Sequence, residues 1–364
     1  MNAKGPDPNA TQRMLLEGEL AGAQSSAGAS LARLAFERPL GALNQRLADL
    51  DALREQIARA RARGYVWSGD LEERLREAQG MSRGALEAAR TESARVGQQL
   101  RPRVDAVSRD ARRLAGQDPL RARAQIEAVA REARAVDSAL DAADKRIAEL
   151  GAGFTRVVDQ LTERLKRIHF TLDQFEHGSF QMQPEENPLA AIQATWEDSP
   201  QGKRSGVLLL TAHRIRFEHH EEVVLERTLL FFASRTEVRR TLLMDAPVGY
   251  LAGSEDAERG LLMKDQLVVL TFRMASGGFT RCTFEVEGNT GKEVDNLLEQ
   301  IRTGDLERQR FRGAMPVPST VGVPVRWPAQ CSQCGARMEP PVRGQTFLAC
   351  PYCNTKHDVV LGEG

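Results

Sequence analysis

The chain has 364 residues, with 50 basic and 50 acidic side chains and a formal net charge of zero. At roughly 100–200 residues per domain this length predicts two or three domains, and the neutral balance excludes binding to nucleic acid or an anionic membrane through overall charge, so any such site must be local. No apolar run is long enough to span a bilayer and the N-terminal MNAKGPDPNATQR lacks an apolar signal core, so a cytoplasmic protein is expected.

Residues 1–30 are rich in Ala, Gly, Ser and Gln around one small apolar cluster, Met14-Leu15-Leu16 and Leu20. They read as a flexible N-terminus, with a short helix on a membrane surface as the alternative. Residues 31–180 read as a long antiparallel helical bundle or coiled coil. Leu40, Leu43, Leu47, Leu50, Leu53 and Ile57 form a first apolar stripe, closed by Gly64. A second helix is expected from Leu71 to Leu114, opened by a capping box of Asp70 with Glu73 and broken or kinked at Gly80–Gly84 and Pro102.

Gly116-Gln117-Asp118-Pro119 marks the next helix start, with Asp118 as N-cap and Pro119 as the first helical residue. From there Ile126, Val129, Ala133, Val136, Leu140, Ala143, Ile147, Leu150, Phe154, Val157, Leu161, Ile168 and Phe175 recur at spacings of three and four, apart from interruptions at Arg164 and Thr171. A repeat this long predicts a coiled-coil seam, and a homo-oligomer through residues 119–177 is expected from it. Gly151 and Gly153 predict a bend.

After Pro184 the period changes from helix to strand. Ala190–Trp196, Gly206–Thr211, Arg214–Phe217, the runs near Leu229–Phe232 and Val238–Leu243, Pro247–Leu251, Gln266–Arg273 and Thr280–Val286 read as short strands, about seven in effect. One helix follows, with Thr290 and Glu293 as its capping box, Val294, Leu297, Leu298 and Ile301 on its buried face, and Gly304 at its end. Seven strands closed by a helix over 185–304, with the run Gly206-Val-Leu-Leu-Leu-Thr-Ala-His-Arg-Ile-Arg-Phe217, resemble the GRAM branch of the pleckstrin-homology (PH) superfold. The resemblance implies a PH-like β-barrel with a C-terminal helix. It also implies a binding module in which basic residues near the first hairpin meet an anionic headgroup. Lys203, Arg204, Arg214 and Arg216 are the candidates here, with Glu197 and Asp198 offsetting part of their charge.

Residues 305–330 carry Pro316, Pro318, Pro324 and Pro328 without a clear period and read as a linker. The segment 331–364 then contains Cys331-Ser-Gln-Cys334-Gly335 and Cys350-Pro-Tyr-Cys353-Asn354. Two C-x₂-C pairs can close a tetrahedral four-thiolate shell around one structural Zn2+, with no open position for catalysis. Gly335 and Asn354 suit the left-handed turn that aims backbone N–H groups at sulfur. The segment resembles a zinc ribbon, too small to fold without its metal. His357 is expected on its final hairpin, and Cys282 in the core of a strand. Arg326, Arg337, Arg343 and Lys356, with Trp327, Phe347 and Tyr352, offer a contact surface in which protein is favoured over nucleic acid, because Glu339, Asp358 and Glu363 dilute the charge.

Catalytic motifs are lacking. His219-His220-Glu221-Glu222 misses the H-E-x-x-H spacing and reads as a polar turn, and Gly288–Glu293 falls short of a phosphate loop. Cys-Pro-Tyr-Cys matches a glutaredoxin motif but has too little chain after it for that domain. The expected protein is a multi-domain, non-enzymatic adaptor or scaffold resembling a bacterial multi-module protein, binding protein partners through its PH-like and zinc-ribbon modules. A peripheral protein on anionic lipid at the inner membrane surface and a nucleic-acid-associated factor are the alternatives.

Overall fold

The computed structural model describes residues 9–183, 186–228, 232–260, 264–276, 279–311, 313 and 325–361. The chain divides into two compact units, Met1–Arg54 with Glu72–Thr162 and Glu55–Leu71 with Glu163–Gly364. Five helices make the N-terminal half: α1 (Ala10–Arg33), α2 (Glu37–Ala62), α3 (Leu71–Leu114), α4 (Arg123–Leu150) and α5 (Ala152–Glu176). Both α2 and α5 begin in the first unit and end in the second. None of the described helices is long and apolar enough to cross a membrane.

In the first unit, the N-terminal segment expected to be flexible is the helix α1. Its Leu16, Leu20, Ala23 and Ala27 fall at helical spacing and bury against Val107, Ala111 and Leu114 of α3 and Ile126, Val129 and Ala133 of α4. Polar contacts fix its register, since Ser26 and Ser30 donate to Asp137 at 2.6 and 2.8 Å and Arg33 pairs with Asp141 and Asp144. The small side chains that made the segment look unstructured are what let α1 approach its neighbours. Helix α3 runs antiparallel to α4, with Glu92 near Arg146 and Arg103 near Glu132. It continues through Gly80–Gly84 and Pro102 without the expected break, because its buried face is uninterrupted.

Two further expectations change. The α4 helix starts at Arg123 rather than Pro119, because the Asp118 carboxylate accepts the Leu120 N–H at 3.0 Å and holds a separate turn. The apolar stripe of α4 and α5, expected to pair two chains, is covered within one chain. Of its members only Leu150 is exposed, at 42%. Between the two helices Gly151 is forced by packing, since a Cβ there would lie 2.1 Å from Leu43 Cδ2 of α2.

In the second unit, seven strands form one antiparallel sheet: β1 (Pro188–Trp196), β2 (Arg204–Thr211), β3 (Arg214–Thr228), β4 (Phe232–Pro247), β5 (Leu251–Arg259), β6 (Asp265–Ser276) and β7 (Phe279–Val286). Their order is β4-β3-β2-β1-β7-β6-β5, so β4 and β5, consecutive in sequence, are the two edges. The β1–β7 pairing, Ala194 opposite Val286 and Trp196 opposite Phe284, joins two meanders into one surface. The helix α6 (Gly291–Thr303) packs on β5 and β6. Its capping box is formed in both directions, and Gly304 ends it at φ 83°.

Strand lengths depart from expectation where charge masks the pattern. His219-His220-Glu221-Glu222 is not a turn but part of β3, paired with Thr241, Arg240, Arg239 and Val238 of β4, so that Glu221 faces Arg239. Pro247–Leu251 is largely a 3-10 turn, and the strand beside it is the polar β5. The run expected near Leu229–Phe232 lies, except for Phe232, outside the described residues.

The sheet is packed on both faces. Val207, Leu208, Leu209 and Leu210 are all buried, as a non-alternating apolar run requires. One face holds the rings of Trp196, Phe217 and Phe284, with centroids 5.3–5.7 Å apart. The other packs Val207 and Leu209 on Phe170 and Phe175 of α5 and on Phe180 and Met182 of the segment that follows it.

Part of the expected linker is also built into this unit. Phe311 donates its N–H to Val66 at 2.7 Å, Gly69 donates to Gln309 at 2.8 Å, and the Arg61 guanidinium lies 4.2 Å from the Phe311 ring centroid. Residues 314–324, with Pro316, Pro318 and Pro324, lie outside the described residues.

Burial of the α4 stripe inside one chain has a measurable consequence. Leu140→Ala, at a fully buried position, should cost about 2–5 kcal/mol in denaturant unfolding. Its midpoint should not change with protein concentration, whereas a seam between chains would make it do so.

Candidate metal centre

The C-terminal segment forms one small hairpin, β9 (Phe347–Ala349) with β10 (Lys356–Asp358), and its two ends pair as β8 (Val325–Arg326) with β11 (Val360–Leu361). Each cysteine pair sits on a turn of the same construction. The Cys331 N–H donates to Ala336 and the Gly335 N–H to Cys331, while the Cys350 N–H donates to Thr355 and the Asn354 N–H to Cys350, all at 2.8–2.9 Å. Gly335 and Asn354 have φ of 71° and 58°, the left-handed conformation each turn needs to double back under its sulfurs.

These turns bring Cys331, Cys334, Cys350 and Cys353 together, with all four sulfurs within 4.8 Å of one another. Cys331 lies 3.5 Å from Cys353, and Cys334 lies 3.5 Å from Cys350. A tetrahedron with Zn–S bonds of about 2.3 Å has edges of about 3.8 Å, so the cluster has the size of a four-thiolate metal shell. The separations are too long for disulfides, and the cysteines are free. The donor set could hold a metal ion and is compatible with one zinc.

Electrostatics point the same way. The Thr355 hydroxyl, 3.2 Å from Cys353 Sγ, pulls that thiol down to about 6. The Cys353 N–H likewise lowers Cys350. The Ala336 N–H pulls Cys334 down too, but hydrogen bonds shared with the Cys350 and Cys353 sulfurs outweigh it and push the thiol up to about 12. Four sulfurs this close cannot all ionise unless a cation joins them. His357, on β10 as expected, brings Nε2 to 3.2 Å from Cys331 Sγ, outside the four-sulfur set. Thr355 was missed in the sequence, although its place directly after Cys-Pro-Tyr-Cys-Asn is the signal that would have found it. The apolar core beneath is small: Cys331, Met338, Leu348 and Cys350, with Ala336 and Val359 at its edge.

A loop of this module seats on the sheet. Gly249 donates its N–H to the Arg343 carbonyl at 3.1 Å, Arg214 donates to the Gly344 carbonyl at 2.8 Å, and the Arg343 side chain bonds the Ile301 carbonyl near the end of α6. Gly344, at φ 83°, lies so close that a Cβ would come within 2.0 Å of the His213 carbonyl oxygen.

The four basic candidates of the sheet are not brought together as a free cluster. Arg216 is 1% exposed, bonds Glu186 through Nη2 at 2.8 and 3.0 Å, and lies 4.7 Å from the Phe180 ring centroid. Arg214 pairs with Asp245 at 2.6 Å besides holding Gly344. Lys203 is exposed and pairs with Glu197 at 2.8 Å, and Arg204 is half-buried at the start of β2. Cys282 is buried, with its thiol pushed up to about 12 by burial, as a core residue should be.

No protein-family model matches the sequence, and no curated protein matches it. Solved structures similar to it include the linker-DH/PH domains of p115-RhoGEF, at 14% identity over 83% of this chain and 99% of that one, with a TM-score of 0.22. Another is the PDZ-RhoGEF DH/PH domains in complex with GTP-gamma-S activated RhoA, at 11% identity over 82% of this chain and 96% of that one, with a TM-score of 0.21. A likeness at these scores assigns neither a family nor a partner.

Native mass spectrometry should find one zinc per chain, lost in Cys331→Ser with Cys350→Ser, and hydrogen exchange should then show the Gly335 and Asn354 amides unprotected while those of β1 and β2 stay protected. Glu186→Ala, which leaves the buried Arg216 guanidinium only its longer pairing with Asp245 at 3.2 Å, should destabilise the second unit by about 3–5 kcal/mol. Lys203→Ala should stay within about 0.5 kcal/mol of the parent in the same denaturation assay.

Proposed function

We propose that the chain is a non-enzymatic adaptor in which a PH-like module of the GRAM type carries a zinc ribbon that contacts a protein partner. The PH-like reading rests on the seven-stranded antiparallel order with β4 and β5 as edges, the closing helix α6, and the run Gly206–Phe217. Zinc is the metal best suited to four thiolates, and with no open position its part is structural. The observation that carries the reading is the exposure of three aromatic rings on the ribbon. Tyr352 is 80% exposed, Phe347 44% and Trp327 37%, on a module whose own core is starved of apolar side chains. A fold this small keeps large rings outside only at a cost in stability, and exposed aromatics of this kind are the usual anchors of protein interfaces.

Lys356 lies 4.8 Å from the Phe347 ring centroid, which gives the surface a cationic edge suited to an acidic segment of the partner. The anionic-lipid alternative is disfavoured, because Arg214 and Arg216 are both engaged by acids.

Affinity capture with intact protein, compared with Tyr352→Ala plus Phe347→Ala, tests the reading. A set of proteins bound by the parent and lost from the double variant, with zinc content unchanged, is the expected result. Capture unaffected by the double variant, or a parent eluate enriched in nucleic acid or lipid instead, would overturn it.

A further inference from the structure

The second unit forms an open pocket of about 530 Å³ between α5, β1, the turn leading into α6, and the loop after α2. That volume lies within the range of small-molecule pockets. Phe170, Leu189, Ile192, Val294, Leu297 and Leu306 give it an apolar wall. Trp67 also lines it, is 2% exposed, and holds a buried indole N–H with no hydrogen-bond partner among the described residues.

The charges around the cavity are mostly committed, and the exceptions among the described residues are Glu287 and Arg167 at the rim. Arg164 is held by Asp70 through two hydrogen bonds of 2.7 and 2.8 Å, Lys166 pairs with Glu163 at 2.6 Å, and Glu293 is tied into the cap of α6. Glu287 lies at the exposed rim. Arg167, also exposed at the rim, reaches only the Gly288 carbonyl, at 3.5 Å, and pairs with no carboxylate among the described residues. An apolar pocket with a guanidinium at its mouth that no carboxylate holds has the chemistry of a receptor for an amphipathic anion.

We propose that this cavity binds a small organic anion with an apolar body, the body among Phe170, Leu297 and their neighbours and the acidic group at Arg167. The site lies outside the metal module and does not depend on the adaptor reading.

The probe is 8-anilinonaphthalene-1-sulfonate, titrated by fluorescence into the full chain, with competition by decanoate and by decyltrimethylammonium, which share a chain but differ in charge. Saturable binding is expected, displaced by decanoate and not by the cation. Leu297→Trp, which fills the cavity, should weaken probe binding at least about tenfold, and Arg167→Glu should weaken decanoate by about tenfold, the equivalent of about 1.4 kcal/mol. Arg167 is exposed, so the second variant remains informative if the first disturbs folding. Leu15→Ser, at an exposed apolar position on α1, should leave the signal unchanged. Equal displacement by both competitors, or a signal lost in Leu15→Ser and retained in Leu297→Trp and Arg167→Glu, would overturn the proposal.

Discussion

Two-sided burial of the first sheet strands is the constraint on which the second unit depends. Val207, Leu208, Leu209 and Leu210 leave no face of β2 for water. One side is closed by the aromatic rings of β1, β3 and β7. The other needs a separate cover, which the end of α5 and the segment after it supply through Phe170, Phe175, Phe180 and Met182. That cover carries polar consequences. Arg216, opposite Leu209, shares the covered face and is buried there, so it requires the Glu186 carboxylate as a partner. A side chain that sequence places in a surface patch becomes a buried bolt holding the cover down.

The same closure shapes the space around it. With α5 laid on β1 and α6 on β5 and β6, the two helices and the loop carrying Trp67 cannot fill the volume between them completely. The apolar wall left there, with Arg167 at its rim, is a product of packing against a sheet rather than of any local motif. The metal module follows a different logic. Its few apolar residues cannot balance the entropy of ordering the segment, so the two matched turns under the sulfurs leave a balance that a metal ion in the four-thiolate set would supply. Arg343 and Gly344 then join it to the sheet, through contacts that tolerate no side chain at Gly344.

Local chemistry was legible wherever a few neighbouring residues suffice to define it. The cysteine pairs with Gly335 and Asn354 specify two turns, and the Thr290–Glu293 box with Gly304 specifies the ends of α6. The bounds of α3 and the apolar face of α4 follow from periodicity alone. Charge hid other elements, because residues 219–223 of β3 and most of β5 bury little and are held by cross-strand pairing that no single strand displays. The helix α1 was hidden by its alanines and serines, which look unstructured until a neighbour at close range gives them something to pack against.

What the sequence by itself determined is therefore the set of elements with strong local signals: the long helices, the strand-rich middle, and four sulfurs spaced for one metal ion. Tertiary structure decided the partners of those elements. It turned the α4 stripe inward to α1 and α3 rather than toward a second chain, buried Arg216, engaged Arg214 with Asp245 and Gly344, and opened the cavity beside Trp67. The reason is physical. Periodicity records which face of an element must be covered, but the identity of the cover and the charge balance beneath it arise only when segments distant in sequence compete for the same surface.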